Sequence, residues 1–144
     1  AELGPQGGHF ALEALLERLE DRAPEVRCAA LEALRTAAPA GHDPALDAAC
    51  ASLQDSSAPV RCAALRALPH LAGAGHAPTL SFVVPRLEDE VYVVRCVALE
   101  VLVQVAPLGD PRAIAAATRR LKDEVPEVRR AAESALSQLG QPEA

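Results

Sequence analysis

Val26-Arg27-Cys28-Ala29-Ala30-Leu31 returns as Val60-Arg61-Cys62-Ala63-Ala64-Leu65 and again as Val94-Arg95-Cys96-Val97-Ala98-Leu99. A looser copy, Val128-Arg129-Arg130-Ala131-Ala132-Glu133, follows, and each step is 34 residues. A fixed period of this size marks a stacked repeat architecture, in which each unit buries its apolar face only against its neighbours. Columns on either side keep the same step. Leu19, Leu53, Leu87 and Leu121 align, and Asp21, Asp55, Asp89 and Asp123 follow each of them by two residues. Arg27, Arg61, Arg95 and Arg129 stand six residues beyond those aspartates, while Gly7, Gly41, Gly75 and Gly109 fall where units start. Four units, about 7–40, 41–74, 75–108 and 109–142, are expected to fill one domain spanning 1–144.

Each unit carries two helical periodicities. The first helix reads Leu12, Leu15, Leu16, Leu19, then Leu46, Ala49, Cys50, Leu53, then Leu80, Val83, Val84, Leu87, and finally Ile114, Ala117, Thr118, Leu121. Spacing of i, i+3, i+4, i+7 is one buried stripe of an α-helix. The second helix reads Val26, Ala30, Ala33, Leu34, Ala37, with the same offsets in later units. Pro24, Pro59 and Pro126 lie where second helices should begin, a tolerated place because the missing N–H would have no helical partner there. The pattern predicts helices at about 10–20, 25–38, 44–54, 59–71, 78–88, 93–105, 112–122 and 127–139, with Pro69 and Pro85 bending or shortening theirs. Strand alternation is absent from the sequence.

The combination of Leu-x-Asp with Val-Arg-x-x-Ala-x-x-x-Leu resembles the HEAT-repeat family over nearly the whole chain. The short period and Gly109-Asp110-Pro111-Arg112 are similar to the compact HEAT-like repeats found in phycobilisome lyases. Tetratricopeptide units would show recurrent aromatics, yet Phe10, Phe82 and Tyr92 share no column, and the Thr-Pro-Leu-His element of ankyrin units does not occur. The resemblance implies an all-α, right-handed α-solenoid of four helical hairpins. It also implies that Asp21, Asp55, Asp89 and Asp123 sit between paired helices, and that Arg27, Arg61, Arg95 and Arg129 bond to carboxylates or carbonyls of the same or the adjacent unit. A structural ladder accounts for a residue pair present in every copy, whereas catalysis would not need four.

Composition narrows the function classes. Half of the 144 residues are hydrophobic, enough for a continuous core. A net charge of −6 argues against bulk attraction to phosphates. HEAT-like DNA glycosylases use a basic groove with aromatic contacts that has no counterpart here. The basic cluster Arg119, Arg120, Lys122, Arg129 and Arg130 is offset by Asp123, Glu124, Glu127 and Glu133, as on a solvated helix face. No apolar run approaches the ~20 residues that span a bilayer, and no charged-then-apolar leader opens the sequence. The chain starts inside a first repeat without an evident polar cap, as an excerpt from a longer array would. Unit four, with Arg130 and Glu133 in place of Cys and Leu, reads as a terminal repeat.

Cys28, Cys62 and Cys96 share one column, but neighbouring helices lie ~8–10 Å apart and a disulfide needs Cα atoms within ~7 Å. Cys50 takes a core position of a first helix. With no C-x-x-C and no zinc spacing, the cysteines read as small hydrophobes in a reducing, cytoplasmic setting. His42 and His76 share a column at the start of a first helix, His9 is one position off, and His70 is late in a second helix. Deoxyhypusine hydroxylases, HEAT-like iron enzymes, use His-Glu pairs, and no His-Glu dipeptide occurs here. No Gly-x-Ser-x-Gly, phosphate loop or dinucleotide fingerprint is present either. No metal, cofactor or catalytic residue is therefore expected.

At roughly 100° per residue, the second-helix core stripe centres on Val26, Ala30, Ala33, Leu34 and Ala37, while Cys28, Leu31 and Arg35 point to the other side. Repetition sets Leu31, Leu65 and Leu99 beside Cys28, Cys62 and Cys96, with Arg35, Pro69 and Val103 next to them. If second helices line the concave side, as in HEAT arrays, this is an exposed apolar stripe of the kind that marks a binding surface. The alternative is that these leucines pack between adjacent second helices. The expected function is a non-catalytic scaffold that holds a protein or peptide segment on its inner surface. A HEAT-like bilin lyase component and a structural spacer in a longer chain are the other readings.

Overall fold

A computed structural model describes the backbone of residues 5–73 and 78–140 and side chains from Phe10 onward. The chain divides into two compact units, Ala1–Gly73 and Ala74–Ala144. The first unit holds α1 (Pro5–Arg18), α2 (Pro24–Ala37), α3 (Asp43–Ser52) and α4 (Ala58–Ala72). The second holds α5 (Pro78–Val83), α6 (Tyr92–Val105), α7 (Pro111–Arg119) and α8 (Pro126–Leu139). Among the described residues all regular structure is helical. The predicted helices are in place, α1 starting five residues early, at Pro5 instead of 10.

Proline sets the second-helix starts. Pro24, Pro59 and Pro126 occupy the first helical turn of α2, α4 and α8, where φ is already right and no N–H is required. First helices end by tightening. Val84–Glu88 and Arg120–Lys122 are 3₁₀ turns that continue α5 and α7. Leu19 and Glu20 donate to Leu16 and Glu17, as do Leu53 and Gln54 to Cys50 and Ala51, in the same i to i−3 pattern. Pro85 sits in the first turn of the 3₁₀ segment that shortens α5. Because Arg120–Lys122 tightens with no proline, the device belongs to the hairpin bend and Pro85 only suits it. Pro69 does not shorten its helix: α4 runs through it to Ala72 and is the longest helix described, its register maintained by buried Leu65, Leu68 and Leu71.

The glycine column divides. Gly41 and Gly109 have φ of +84° and +78°, a left-handed conformation that other residues rarely take. Each donates its N–H to the end of the next second helix in its unit, Gly41 to the Leu71 carbonyl and Gly109 to the Leu139 carbonyl, both at 2.8 Å. Gly7 instead lies inside α1, where no turn is made, and Gly75 lies outside the described residues.

In the first unit, α2 packs against both α1 and α4, and α3 against α4. In the second, α6 packs against α8, α5 and the 3₁₀ turn after it, and α7 against α8. Second helices therefore meet two neighbours on different sides. Their core runs through Leu31, Leu34, Val60, Leu65, Leu68 and Leu71 in one unit and Val94, Leu99, Leu102, Val128 and Leu139 in the other.

Candidate functional site

The Asp and Arg columns build the turns between helices. Each aspartate bends back on its own turn: Asp21, Asp55, Asp89 and Asp123 accept the N–H two residues on through Oδ1, at 2.9–3.0 Å. The short carboxylate thereby replaces a backbone acceptor in an Asx turn. The arginine six residues later reaches back to the carbonyl of the same aspartate, in all four Asp–Arg pairs, at 2.7–2.8 Å. Arg27 and Arg95 also clamp forward on the carboxylate of the hairpin that follows. Arg27 donates from Nε and Nη2 to Asp55 at 2.8 and 2.9 Å, and Arg95 does the same to Asp123 at 2.9 and 3.0 Å. Such forked pairs fix orientation as well as distance.

Electrostatics follow this geometry. Burial pushes the Asp55 carboxyl upward, but Arg27, the Ser57 N–H and the charge of Arg61 together outweigh it and hold Asp55 below the ordinary carboxylate value. Asp123 is lowered in the same way: burial opposes, while the Val125 N–H, Arg95 and Arg120 prevail. These residues are held ionised by structural partners.

The proposed apolar stripe is not a surface. Leu31, Leu65 and Leu99 are each 0% exposed, and Cys62 is also buried, so the column expected to face a partner belongs to the interior. Cys28, Cys96 and Val103 are half-buried, and only Arg35 of the set is exposed. A helical wheel assigns one buried stripe per helix, whereas a second helix in a stack has two buried sides. α2 meets α1 on one side and α4 on another, and Leu31 lies on a helix held between them.

What second helices do present is polar and aliphatic together. In the second unit, α6 and α8 border a cleft of about 420 Å³ lined by Leu99, Glu100, Val103 and Gln104 on one side and by Ala131, Ser134, Ala135 and Gln138 on the other. Its amides are loosely held. Gln104 Nε2 is 3.5 Å from the Glu100 carbonyl, and Gln138 Nε2 is 3.3–3.4 Å from Ser134. A second hollow, of about 540 Å³ and almost wholly apolar, lies on α1 and α2 in the first unit.

The other candidate groups have structural roles or none. Burial is the leading cause that raises the thiols of Cys28, Cys50 and Cys96 above their ordinary value, which keeps them protonated and poorly nucleophilic at neutral pH. The cysteines form no disulfide among the described residues. His42 caps α3, its Nδ1 accepting the Ala45 N–H at 3.3 Å, and Asp110 caps α7 in the same column. His70 is exposed, His76 lies outside the described residues, and so does the His9 side chain. No group of three metal-ligating side chains gathers among the described residues. The basic cluster is dispersed: Arg120 lies 3.3 Å from Asp123, Arg130 3.7 Å from Glu127, and Arg119 3.9 Å from Glu88. No described helix is long and apolar enough to cross a membrane.

A family model described as HEAT repeats matches residues 12–103 and, in a second overlapping hit, 80–144. No curated protein matches the chain.

Proposed function

Because the chain belongs to the HEAT-repeat family, we propose that it is a non-catalytic scaffold that holds an extended segment of a partner protein along its second helices. HEAT repeats are in general protein-interaction or scaffold modules. The observation that carries the finer reading is the cleft between α6 and α8. Gln104 and Gln138 each offer one amide donor and one acceptor, the same pair that a peptide unit presents, and neither is locked in a short hydrogen bond. Val103 and Ala131, both half-buried, supply an aliphatic floor between them, and Glu100 places one negative charge on the wall. An extended segment with a small aliphatic side chain and a nearby basic residue matches that lining.

Selection of peptides from a displayed random library on the full chain tests this reading. Peptides so obtained should lose at least tenfold in affinity, about 1.4 kcal/mol, against Val103→Arg and against Gln104→Ala/Gln138→Ala. The thermal midpoint should hardly move, because Gln104 and Gln138 are exposed and Val103 is half-exposed. Selected peptides that bind both variants as well as the parent would remove the cleft from the binding surface.

A further inference from the structure

The helix pair that forms the cleft in the second unit occurs in the first with different chemistry on its surface. α2 packs against α4 as α6 packs against α8, and the Arg27–Asp55 fork repeats the Arg95–Asp123 fork atom for atom. The sealed layer beneath is also the same. Leu31 and Ala67 are 0% exposed, and Leu99 and Ala135, two repeat steps later, are at most 2% exposed. Residues that border the α6–α8 cleft therefore locate the corresponding border on α2 and α4.

Three border positions change from neutral to basic. Val103 on α6 corresponds to Arg35 on α2, and Ser134 and Gln138 on α8 correspond to Arg66 and His70 on α4. All three basic side chains are exposed. Glu32, in the place of Glu100, is the one carboxylate at these positions. Arg35 is also the one member of the expected partner-facing column that stays at the surface.

The two arginines of this border are uncommitted. Arg27, on the same helix as Arg35, is held by the carbonyls of Asp21 and Arg22 and by the Asp55 carboxylate. Neither Arg35 nor Arg66 makes a hydrogen bond or ion pair with any described residue, Glu32 included. One unpaired surface arginine is ordinary. Two on adjacent helices, bordering one strip above a sealed layer, leave the N–H donors of both guanidinium forks open toward the same ligand. A guanidinium fork matches a carboxylate in two parallel bonds. The chain's net charge of −6 disfavours the alternative anion, a phosphate polymer, at long range.

We propose that the α2–α4 strip binds an acidic stretch of a partner protein, Arg35 and Arg66 each forking onto an Asp or Glu side chain and His70 donating an N–H beside them. The inference rests on the reading of second helices as the binding surface, but on different residues from the α6–α8 cleft and with the opposite charge preference.

Peptide selection on the full chain, run in parallel on Arg35→Gln/Arg66→Gln, tests it. Glutamine keeps helix preference without the charge. Because both arginines are exposed and unpartnered among the described residues, the variant should keep the parental helicity and thermal midpoint. The parent should yield a class of peptides with two or more Asp or Glu residues that the variant does not yield. A labelled peptide of that class should bind the variant at least tenfold more weakly, and Arg35→Lys/Arg66→Lys should recover only part of the loss, because lysine restores charge without the fork. Absence of an acidic class from the parent, or acidic peptides that bind the glutamine variant as tightly, would overturn the proposal. So would a short oligothymidylate that binds the parent more tightly than those peptides and depends on the same arginines, which would assign them to phosphate. Failure here is separable from failure of the cleft, since Val103→Arg and Gln104→Ala/Gln138→Ala alter α6 and α8 and leave Arg35 and Arg66 in place.

Discussion

Leu65 and Leu53 come from different columns, yet one is 0% and the other 2% exposed. Their truncation should therefore cost alike. Leu65→Ala and Leu53→Ala are each expected to lose about 2–5 kcal/mol in urea melts, the range for a buried leucine that leaves a cavity. A Leu65→Ala loss below about 1 kcal/mol would return that column to the surface. The wheel sets Leu31, Leu65 and Leu99 about 100° from the centre of the core stripe, but angle alone does not say whether solvent or another helix occupies that direction. Asp123 makes the complementary case. Its side chain is 4% exposed and receives both nitrogens of the Arg95 fork. Asp123→Ala should cost about 1–3 kcal/mol by leaving that guanidinium and the Val125 N–H without their acceptor.

At the scale of elements, hairpins are joined by a device that residue type alone half-revealed. Gly41 and Gly109 read as punctuation in the sequence, but their N–H groups close on Leu71 and Leu139, thirty residues away, so the turn after one second helix latches the end of the next. Gly41→Ala should cost about 1–2 kcal/mol from forcing a side chain into left-handed backbone. Open space around the added Cβ means that no steric clash adds to this. Asn at 41, which tolerates that conformation better, should recover part of the loss. A Gly41→Ala chain as stable as the parent in thermal melts would show that the loop relaxes at no cost. α6 illustrates why period-based reading of one stripe per helix falls short: Val94, Val97, Ala98, Leu99, Val101 and Leu102 are all buried, and a helix apolar nearly all round is one with neighbours on several sides.

For the molecule as a whole, the ladder predicts acid lability. Asp55 and Asp123 are held below their ordinary value in the folded chain, while in the unfolded chain they titrate near ~3.9. Their stabilisation is thus fully present above the unfolded value and is lost as pH falls through the folded one. The urea midpoint should stay level from pH 7 to about 5 and drop below about 4, and the Asp55→Asn/Asp123→Asn chain should start lower and fall less steeply. Parallel acid limbs would show that other carboxylates govern the transition. The sequence by itself determined the repeat, its period, the eight helices to within a few residues at most ends and the family, because one local pattern written four times averages away ambiguity in any single copy. It also marked Asp and Arg as a structural pair from their presence in every unit. Only the tertiary structure decided that the Leu31 column is interior and that Arg27 and Arg95 fork onto the following carboxylate. Local pattern specifies which way a side chain points along a helix, and burial depends on what the chain brings to meet it.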